Sequence, residues 1–400
     1  MSSLVIVGKA LHPVDSGSKM RAINLIRAAR SIGEVDLFSC AETLSPEELA
    51  LFDDLGVRRV VAVGPPPEAT PSRWLSPVDR VRPSALRGLQ VGAIRQVFER
   101  SGLDGYHRVL FVEPITWWLL RPCVTDAPVI VDLENVMSSW SARAARTRFH
   151  HLRRLRGRAL GRAMIGAAQA LLDCWRWARL ERRILATSNV VIVCSEAERA
   201  RLGGTNVAVG PNGYDRPTHP VGRVDVGSPP VLVFPGKMTY EPNLDAARFL
   251  LDEILPCLRR LVPGVRVMIV GRSPAELLSR DGADVEVMGF VDDIDAILAR
   301  ADAMVVPLRS GGGTRGKILE AWAHRLPVVS TTFGADGLDV SSGVDLLLAD
   351  SPERFAEACR QVLTDSELRS RLAEGGYERW SAEFDWEQCR VRIVTILRDV

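Results

Sequence analysis

The most constraining feature of this sequence is the alternation of short Val/Ile-rich runs with segments of helical periodicity. Each run is apolar throughout and stops at Gly, Pro or Ser, which is typical of a strand buried on both faces of a parallel sheet. Because strands and helices alternate, the sequence predicts a doubly wound α/β architecture. The clearest predicted strands are Val190–Ser195, Val231–Gly236, Val265–Gly271, Val285–Val291, Ala303–Leu308 and Pro327–Thr332.

The length of 400 residues favours two or three domains. An aperiodic stretch with several Pro and Gly residues, 216–230, predicts a linker between two α/β halves. In the second half, apolar spacing predicts one helix over Asn243–Leu261, with Asn243 as its cap. The last 21 residues, 380–400, predict a final amphipathic helix.

Composition excludes some classes of protein. A net charge of +2 gives no indication of a nucleic-acid partner. The first apolar run, Leu4–Val7, is too short for a signal peptide, and no run approaches the 18 residues of a membrane span. Seven cysteines without a CxxC pair favour a reduced, cytoplasmic compartment.

A glycine-rich loop, SGGGTRG at 310–316, lies between a predicted strand and a predicted helix. Ligands of doubly wound sheets bind at the carboxyl ends of strands, which is where this loop falls. Its glycines allow close approach of backbone N–H groups to a ligand, and the helix start faces the same point. The residues concerned are Gly311, Gly312, Gly313 and Thr314.

Charged residues follow the glycines at a useful spacing. Arg315 and Lys317 are cations suited to phosphate oxygens. Glu320 lies one turn further, where a carboxylate is able to accept hydrogen bonds from ribose hydroxyls. The sequence therefore predicts a site for a nucleotide diphosphate.

The glycine-rich loop has two other interpretations. Gly311–Lys317 fits the first part of the Walker A pattern, but Ile318 stands where Ser or Thr must bind magnesium, which argues against an ATP-binding loop. A plain glycine-rich turn before a solvated helix start remains the second alternative.

Longer stretches carry a family resemblance. GPNGYD at Gly210–Asp215, the segment Gly236–Gly271 and, most closely, the segment Val287–Leu338 resemble retaining GT-B-fold glycosyltransferases of family four, the group 1 glycosyltransferases, in their SGGGTR-type branch. The resemblance covers the C-terminal half almost completely and the N-terminal half thinly.

The resemblance implies a GT-B fold: two doubly wound parallel-sheet, Rossmann-like domains with a cleft between them. Residues 1–215 would form the acceptor-binding domain, 216–230 the linker, 231–380 the nucleotide-sugar-binding domain, and 381–400 a helix that crosses back to the N-terminal domain.

The resemblance also implies roles for individual residues. Glu320 matches the second glutamate of the family's E-x7-E motif, which contacts the ribose, and Gly312 stands at the first. Further donor contacts would come from Lys237 at the diphosphate and from the backbone of Gly289, Phe290 and Val291 at the nucleobase. Acceptor contacts would come from the Asp15–Arg21 loop, through Gly17, Ser18 and Arg21, and from Asn135.

One position departs from the family. Many relatives read D-x-H-N-V after a strand, whereas this chain reads DLENV, so that Glu134 replaces the histidine that supports the donor sugar. We assign catalytic roles to Glu134, Arg315 and Lys317, the two cations stabilising the departing diphosphate. A plain solvated carboxylate is the alternative for Glu134.

The implied function is a cytoplasmic, metal-independent hexosyltransferase of polysaccharide or glycoconjugate biosynthesis that retains the anomeric configuration. Its donor would be a UDP-, GDP- or dTDP-sugar, and its acceptor a glycan, a lipid-linked sugar or a small molecule, with no obligatory cofactor. The alternatives are a catalytically impaired sugar-nucleotide-binding protein and an epimerase or phosphorylase on the same fold.

A strongly basic segment, Ser141–Arg183, has twelve arginines against Asp173 and Glu181, a net charge of +10. We predict one long helix that packs an apolar stripe on the domain and leaves its basic face in solvent. The alternative is docking on an anionic membrane at its inner face. The stripe consists of Phe149, Leu152, Leu155, Leu160, Met164, Ala167, Leu171 and Trp175.

A second candidate for the acceptor site is the pair Trp117–Trp118, although a tryptophan is more often a core residue. No histidine or carboxylate group has the spacing of a metal site, and we expect no obligatory divalent ion.

Overall fold

The structure is a computed structural model. It describes residues 1–14, 16–41, 43–63, 91–152, 157–218, 229–311 and 315–400, and within its helices the side chains of 144, 146–152 and 157–163 are not described. The predictions for Asp15, Gly312, Gly313 and Thr314 therefore lie outside the described residues, as does most of the predicted linker.

The chain divides into two compact units. Unit 1 comprises Met1–Pro211 and Cys389–Val400, and unit 2 comprises Asn212–Gln388. The end of the chain thus belongs to unit 1, where Arg390 donates a hydrogen bond of 2.9 Å to the side-chain oxygen of Asn24.

Unit 1 is built on a seven-stranded parallel sheet of order β3-β2-β1-β4-β5-β6-β7. The strands are β1 (Ser2–Val7), β2 (Glu34–Ser39), β3 (Arg59–Ala62), β4 (Arg108–Val112), β5 (Val129–Glu134), β6 (Val190–Val193) and β7 (Val207–Val209). The helices are α1 (Gly17–Arg30), α2 (Pro46–Asp54), α3 (Val91–Arg100), α4 (Pro114–Leu120), α5 (Met137–Leu152), α6 (Gly157–Thr187) and α7 (Glu196–Leu202).

Unit 2 is built on a six-stranded parallel sheet of order β10-β9-β8-β11-β12-β13. The strands are β8 (Val231–Pro235), β9 (Arg266–Val270), β10 (Val285–Met288), β11 (Ala303–Val306), β12 (Val328–Ser330) and β13 (Leu347–Leu348). The helices are α8 (Glu241–Phe249), α9 (Leu255–Leu261), α10 (Ala275–Leu278), α11 (Ile294–Leu298), α12 (Gly316–Ala323), α13 (Pro352–Thr364), α14 (Ser366–Arg379) and α15 (Trp386–Arg398), the last of which continues into unit 1.

Both units contain a parallel sheet in an α/β arrangement, and the predicted doubly wound fold class is confirmed. The strand order reverses between β1 and β4 in unit 1 and between β8 and β11 in unit 2. In open α/β sheets, ligands bind outside the carboxyl ends of the strands at this reversal. The two reversals therefore mark where each unit is able to hold a ligand.

The helix predicted over Asn243–Leu261 begins two residues earlier in the structure and is interrupted by a π-helical turn. It begins at Glu241, so Asn243 lies inside its first turn and is not its cap. Proline at the second helical residue explains the earlier start, because the first turn needs no N–H from it. A π-helical turn, Leu250–Ile254, then joins α8 to α9.

The long helix predicted over the basic segment is wrong, because two helices, α5 and α6, occupy it. Of the four stripe residues whose side chains are described, Ala167 is buried, but Met164, Leu171 and Trp175 are exposed. The predictions for the other four lie outside the described side chains: Phe149, Leu152, Leu155 and Leu160. The side of α6 that packs into unit 1 instead carries Ala170, Trp177, Leu180 and Ile184. Within the described residues, no helix is both long and apolar enough to cross a bilayer.

Candidate functional site

The loops after β8 and β9 come into direct backbone contact. Gly236 has a φ of +150°, and Gly271 a φ of +124°. A Cβ on Gly271 would lie 2.1 Å from the carbonyl oxygen of Gly236, so only glycine fits there. A Cβ on Gly236 would lie 3.1 Å from Nζ of Lys317, which shows how closely the start of α12 approaches the end of β8.

Lys317 occupies this junction as a half-buried cation. Its Nζ donates a hydrogen bond of 3.0 Å to Oδ1 of Asn243 and lies 4.5 Å from the centroid of the Phe234 ring. Burial, with the nearby charge of Arg315, lowers the pKa of Lys317 to about 7. Among the described residues no carboxylate forms an ion pair with Lys317. The ammonium would therefore gain from an anion at this point.

Arg315 precedes α12 and is 5% exposed. Its guanidinium stacks 4.9 Å from the centroid of the Phe333 ring and donates a hydrogen bond of 3.1 Å to the Phe333 carbonyl. Its own carbonyl accepts the first helical hydrogen bond, 2.7 Å from N of Ile318. Arg315 thus fixes the start of α12, and its predicted catalytic role stays a prediction.

Glu320, one turn further along α12, is held by Tyr214. The Tyr214 hydroxyl donates a hydrogen bond of 3.0 Å to Oε1 of the carboxylate. Burial raises the pKa of Glu320 to about 7, against the opposing effects of Tyr214 and Lys317. The carboxylate and the Lys317 ammonium are therefore both poised near neutrality.

Tyr214 itself is anchored by the end of unit 2. It forms a parallel bridge with Asp385, and its carbonyl accepts a hydrogen bond of 3.2 Å from Nε1 of Trp380. Burial and the neighbouring Glu320 raise the pKa of the phenol well above its usual range. The GPNGYD segment carries the family resemblance, but the sequence alone assigns no role to its tyrosine, because Glu320 is 106 residues away.

Asn243 connects the predicted donor residues. Besides accepting from Lys317, it donates a hydrogen bond of 3.0 Å to the carbonyl of Lys237, whose side chain is exposed. Sequence reasoning missed this residue by taking it for a helix cap.

The predicted nucleobase segment follows β10. The carbonyl of Gly289 accepts a hydrogen bond of 3.0 Å from N of Gly271. Phe290 is 65% exposed, with the guanidinium of Arg272 5.7 Å from its ring centroid, and Val291 is half-buried. This segment offers an exposed aromatic face beside a cation.

At the reversal of the unit 1 sheet, an ion pair joins the ends of β1 and β4. Nζ of Lys9 lies 2.5 Å from Oε1 of Glu113 and 2.8 Å from Oγ of Ser18, at the start of α1. Glu113 has a φ of +72°, which is unusual for a residue other than glycine and is typical of functional sites. The pair was not predicted; its only signal was Gly-Lys directly after the first strand.

Arg21 is 1% exposed and buried in a bidentate pair with Asp132. It also donates a hydrogen bond of 2.8 Å to the carbonyl of Gly210. The guanidinium therefore joins α1, β5 and the segment after β7. This placement argues against direct contact between Arg21 and an acceptor, whereas Gly17 is exposed at the start of α1.

Glu134 ends β5 at an irregularity in its pairing with β6, with a φ of +53°. The residue is half-buried, as is Asn135. Burial raises the pKa of Glu134 to about 7; Arg21 opposes the shift, and Asp132 adds to it. The environment of Glu134 is thus that of a perturbed, partly buried acid, not of a solvated one.

The second acceptor candidate was the pair Trp117–Trp118. Trp117 is 5% exposed and belongs to the unit 1 core, so it is a core residue and not part of an acceptor site. In the described part of the chain, no group of three or more His, Cys, Asp and Glu side chains is arranged to hold a metal ion.

The family model described as "Glycosyl transferases group 1" matches residues 229–365, the segment that contains Lys317, Glu320 and Asn243. The matched segment lies wholly within unit 2.

Two curated relatives agree with the group 1 match. Over 135 residues, or 32% of this chain, the sequence is 33% identical to the lipopolysaccharide core biosynthesis glycosyltransferase LpsE of Rhizobium meliloti. It is 26% identical over 60% of its length to the GDP-mannose-dependent alpha-(1-6)-phosphatidylinositol monomannoside mannosyltransferase of Mycobacterium tuberculosis, of which it covers 68%. The chain spans 39% of the length of the Rhizobium protein.

The structure is also similar to that of Anabaena HepE in complex with UDP-glucose. The TM-score is 0.62 at 16% identity, and the similarity covers 100% of both chains. At this identity the similarity concerns the fold, which confirms the predicted GT-B class of two parallel-sheet α/β domains.

Proposed function

We propose that this protein is a group 1 glycosyltransferase that moves a sugar from a nucleotide diphosphate to a hydroxyl group of an acceptor. The observation that carries the proposal is the pair on α12, Lys317 and Glu320, at the reversal of the unit 2 sheet. A half-buried cation without an ion-pair partner among the described residues suits a diphosphate. A carboxylate positioned by a tyrosine, one turn away, suits the ribose.

In the proposed donor site, Lys317 and the start of α12 bind the diphosphate, with Arg315 adding positive charge and Lys237 reaching the same group from the end of β8. Asn243 orients Lys317. Glu320 accepts hydrogen bonds from the ribose hydroxyls. The loop Gly311–Thr314 contributes backbone N–H groups, and Gly289, Phe290 and Val291 lie beside the nucleobase.

The proposed chemistry breaks the bond between the anomeric carbon and the diphosphate oxygen and forms a bond from that carbon to the acceptor oxygen. The acceptor hydroxyl gives up its proton in this step, and the departing diphosphate oxygen takes that proton. Lys317 and Arg315 stabilise the negative charge that develops on the leaving diphosphate, so that no metal ion is required. Glu134 accepts a hydrogen bond from a hydroxyl of the donor sugar. The anomeric configuration is retained.

In unit 1, we place the acceptor near Gly17, Ser18 and Asn135. Arg21, from its buried position, acts there by holding α1 against β5 and not by touching the acceptor. The acceptor is a glycan, a lipid-linked sugar or a small molecule, and the reaction takes place in the cytoplasm, peripherally at the inner face of the membrane when the acceptor is lipid-linked.

The names of the relatives support this proposal without fixing the donor. The Mycobacterium protein is described as GDP-mannose-dependent, and the HepE structure contains UDP-glucose. The nucleoside of the donor, among UDP, GDP and dTDP, is therefore left to experiment.

The experiment incubates the protein with sugar-labelled UDP-, GDP- and dTDP-hexoses and a panel of glycan and lipid-linked acceptors, and identifies the products. A glycoside with retained configuration, formed by the wild type and by Glu353→Gln but not by Glu320→Gln, is the expected result. Glu353 is an exposed glutamate in the first turn of α13 and serves as the matched control.

Other products would support one of the alternative functions. A free epimer would indicate an epimerase, and a sugar phosphate a phosphorylase. Donor binding without any turnover would indicate a sugar-nucleotide-binding protein that has lost catalysis, in keeping with Glu134 at the family's histidine position.

A further inference from the structure

The helix α6 exposes an unusual number of large apolar side chains. Five of them are about half exposed or more: Met164 at 55%, Ile165 at 61%, Leu171 at 49%, Leu172 at 45% and Trp175 at 47%. The opposite side of the same helix is packed in unit 1, so these side chains are not a core stripe that lost its partner. Contiguous exposed apolar surface of this kind marks an interaction site.

The exposed side chains form one continuous face. At 100° per residue, Met164, Leu171 and Trp175 lie within roughly 40° of one another around the helix, and the eleven steps between the first and last span about 16 Å. The sequence from Met164 to Leu172 contains no charged residue. The first charge, Asp173, pairs at 3.1 Å with the buried Arg176, away from this face.

Cations follow the apolar residues along the same helix. Arg179, Arg182 and Arg183 are exposed, and the guanidinium of Arg179 lies 5.8 Å from the Trp175 ring centroid. Arginines also precede the face in the sequence, at positions 158 and 162. An apolar face with a tryptophan near its basic end has the composition of a helix that lies in a membrane interface.

We propose that the α6 face, defined as the exposed side chains between Met164 and Arg183, docks this protein on an anionic lipid bilayer. The apolar residues would enter the boundary between headgroups and acyl chains, and the arginines would contact the lipid phosphates. A second copy of the chain is a poorer occupant, because it would bring one arginine-rich segment against another. Anionic lipid, by contrast, is complementary to a segment whose net charge is +10.

The biological purpose of this docking rests on the proposed function, since it would bring the enzyme to a lipid-linked acceptor. The docking itself needs no substrate. It is therefore testable with vesicles alone, and its failure would be separate from failure of the glycosyltransferase proposal.

The experiment measures cosedimentation of the full chain with vesicles of phosphatidylcholine alone and with 30% phosphatidylglycerol. The matched variants are Leu171→Ser/Trp175→Ser on the α6 face and Leu278→Ser, which removes a leucine of similar exposure, 48%, from unit 2. Arg182→Gln/Arg183→Gln tests the charge. All side chains concerned are exposed, so the melting temperatures should stay at the wild-type value.

The expected result is binding to the anionic vesicles only, weakened by 0.5 M salt. Leu171→Ser/Trp175→Ser should lower the affinity about tenfold or more, and Arg182→Gln/Arg183→Gln should lower it and reduce its salt dependence, while Leu278→Ser matches the wild type. Absence of wild-type binding, or equal binding by all variants, would overturn the proposal. So would a wild-type dimer that Leu171→Ser/Trp175→Ser converts to monomer, since a second copy would then occupy the face.

Donor turnover measured in parallel with a water-soluble acceptor separates the two proposals. Turnover without vesicle binding would overturn only the docking. Vesicle binding without turnover would leave the docking intact and count against the glycosyltransferase.

Discussion

The substitution Tyr214→Phe tests how the carboxylate of Glu320 is positioned. It removes only the hydroxyl that donates a hydrogen bond of 3.0 Å to the carboxylate and keeps the ring, which packs edge to face against His324 with centroids 6.4 Å apart. We expect the variant to fold and to bind the nucleotide more weakly, because the carboxylate loses the donor that orients it towards the ribose.

The length of this hydrogen bond determines the expected loss of nucleotide affinity. Hydrogen bonds to charged groups contribute about 1.5 to 3 kcal/mol, and the separation of 3.0 Å is at the long end for a hydroxyl donor, which favours the lower value. About 1.5 kcal/mol corresponds to roughly a tenfold loss of nucleotide affinity. Since Tyr214 also lowers the pKa of Glu320 from what burial alone would give, the variant should hold Glu320 protonated to higher pH. The loss of affinity should therefore be larger at pH 7 than at pH 9.

Isothermal titration calorimetry with the nucleoside diphosphate that binds the wild type measures this loss. Tyr106→Phe is the matched control, because Tyr106 donates a similar bond, 2.6 Å, to the Asp36 carboxylate in unit 1. Both variants should lose comparable stability, and only Tyr214→Phe should lose affinity. Equal affinity in Tyr214→Phe and the wild type at both pH values would refute the role assigned to the Tyr214–Glu320 pair.

Three further outcomes are expected. The pKa of Lys317 in the folded protein, about 7, lies below its ordinary value of 10.5, so the unfolded chain binds more protons between these two pH values. The free energy of unfolding should therefore rise from pH 7 to pH 10. Calorimetry should show a smaller rise in Lys317→Met. Gly271→Ala should lower the free energy of unfolding by more than about 3 kcal/mol, or abolish folding. Its control is Gly264→Ala, because Gly264 has a φ of +79° and no atom within 4 Å of an added Cβ. Thermal denaturation of this control should show a loss of about 1 to 2 kcal/mol. Asp132→Asn, which leaves the buried Arg21 without its carboxylate, should cost about 3 to 5 kcal/mol in the same assay, and a loss under 1 kcal/mol would contradict the buried pair.

Much of the fold was predictable from the sequence because buried parallel strands leave a strong local signal. Continuous Val/Ile runs located β6 and β8 to β12, although each predicted run extends beyond the observed strand. The place of the glycine-rich loop was predictable for the same reason, since a strand, a glycine run and a helix in succession locate the carboxyl end of a strand.

The remainder depends on contacts between distant residues, which local spacing does not encode. Tyr214 meets Glu320 across 106 residues, Lys9 meets Glu113 across 104, and Asn243 meets Lys317 across 74. Helical periodicity also identifies an apolar face without saying what covers it. For that reason Met164, Leu171 and Trp175 were predicted to be buried, although the structure exposes them.

The central claim, that α12 of unit 2 binds a nucleotide diphosphate through Lys317 and Glu320, is tested most directly by thermal shift. UDP, GDP, ADP and dTDP are added to the wild type, Glu320→Gln and the control Glu353→Gln. A ligand at 100 times its dissociation constant stabilises the folded protein by about 2.7 kcal/mol, which moves the melting temperature by several degrees. A shift with one nucleotide, present in the control and lost in Glu320→Gln, is the result we predict. No shift with any of the four, or an equal shift in all three proteins, would contradict the claim.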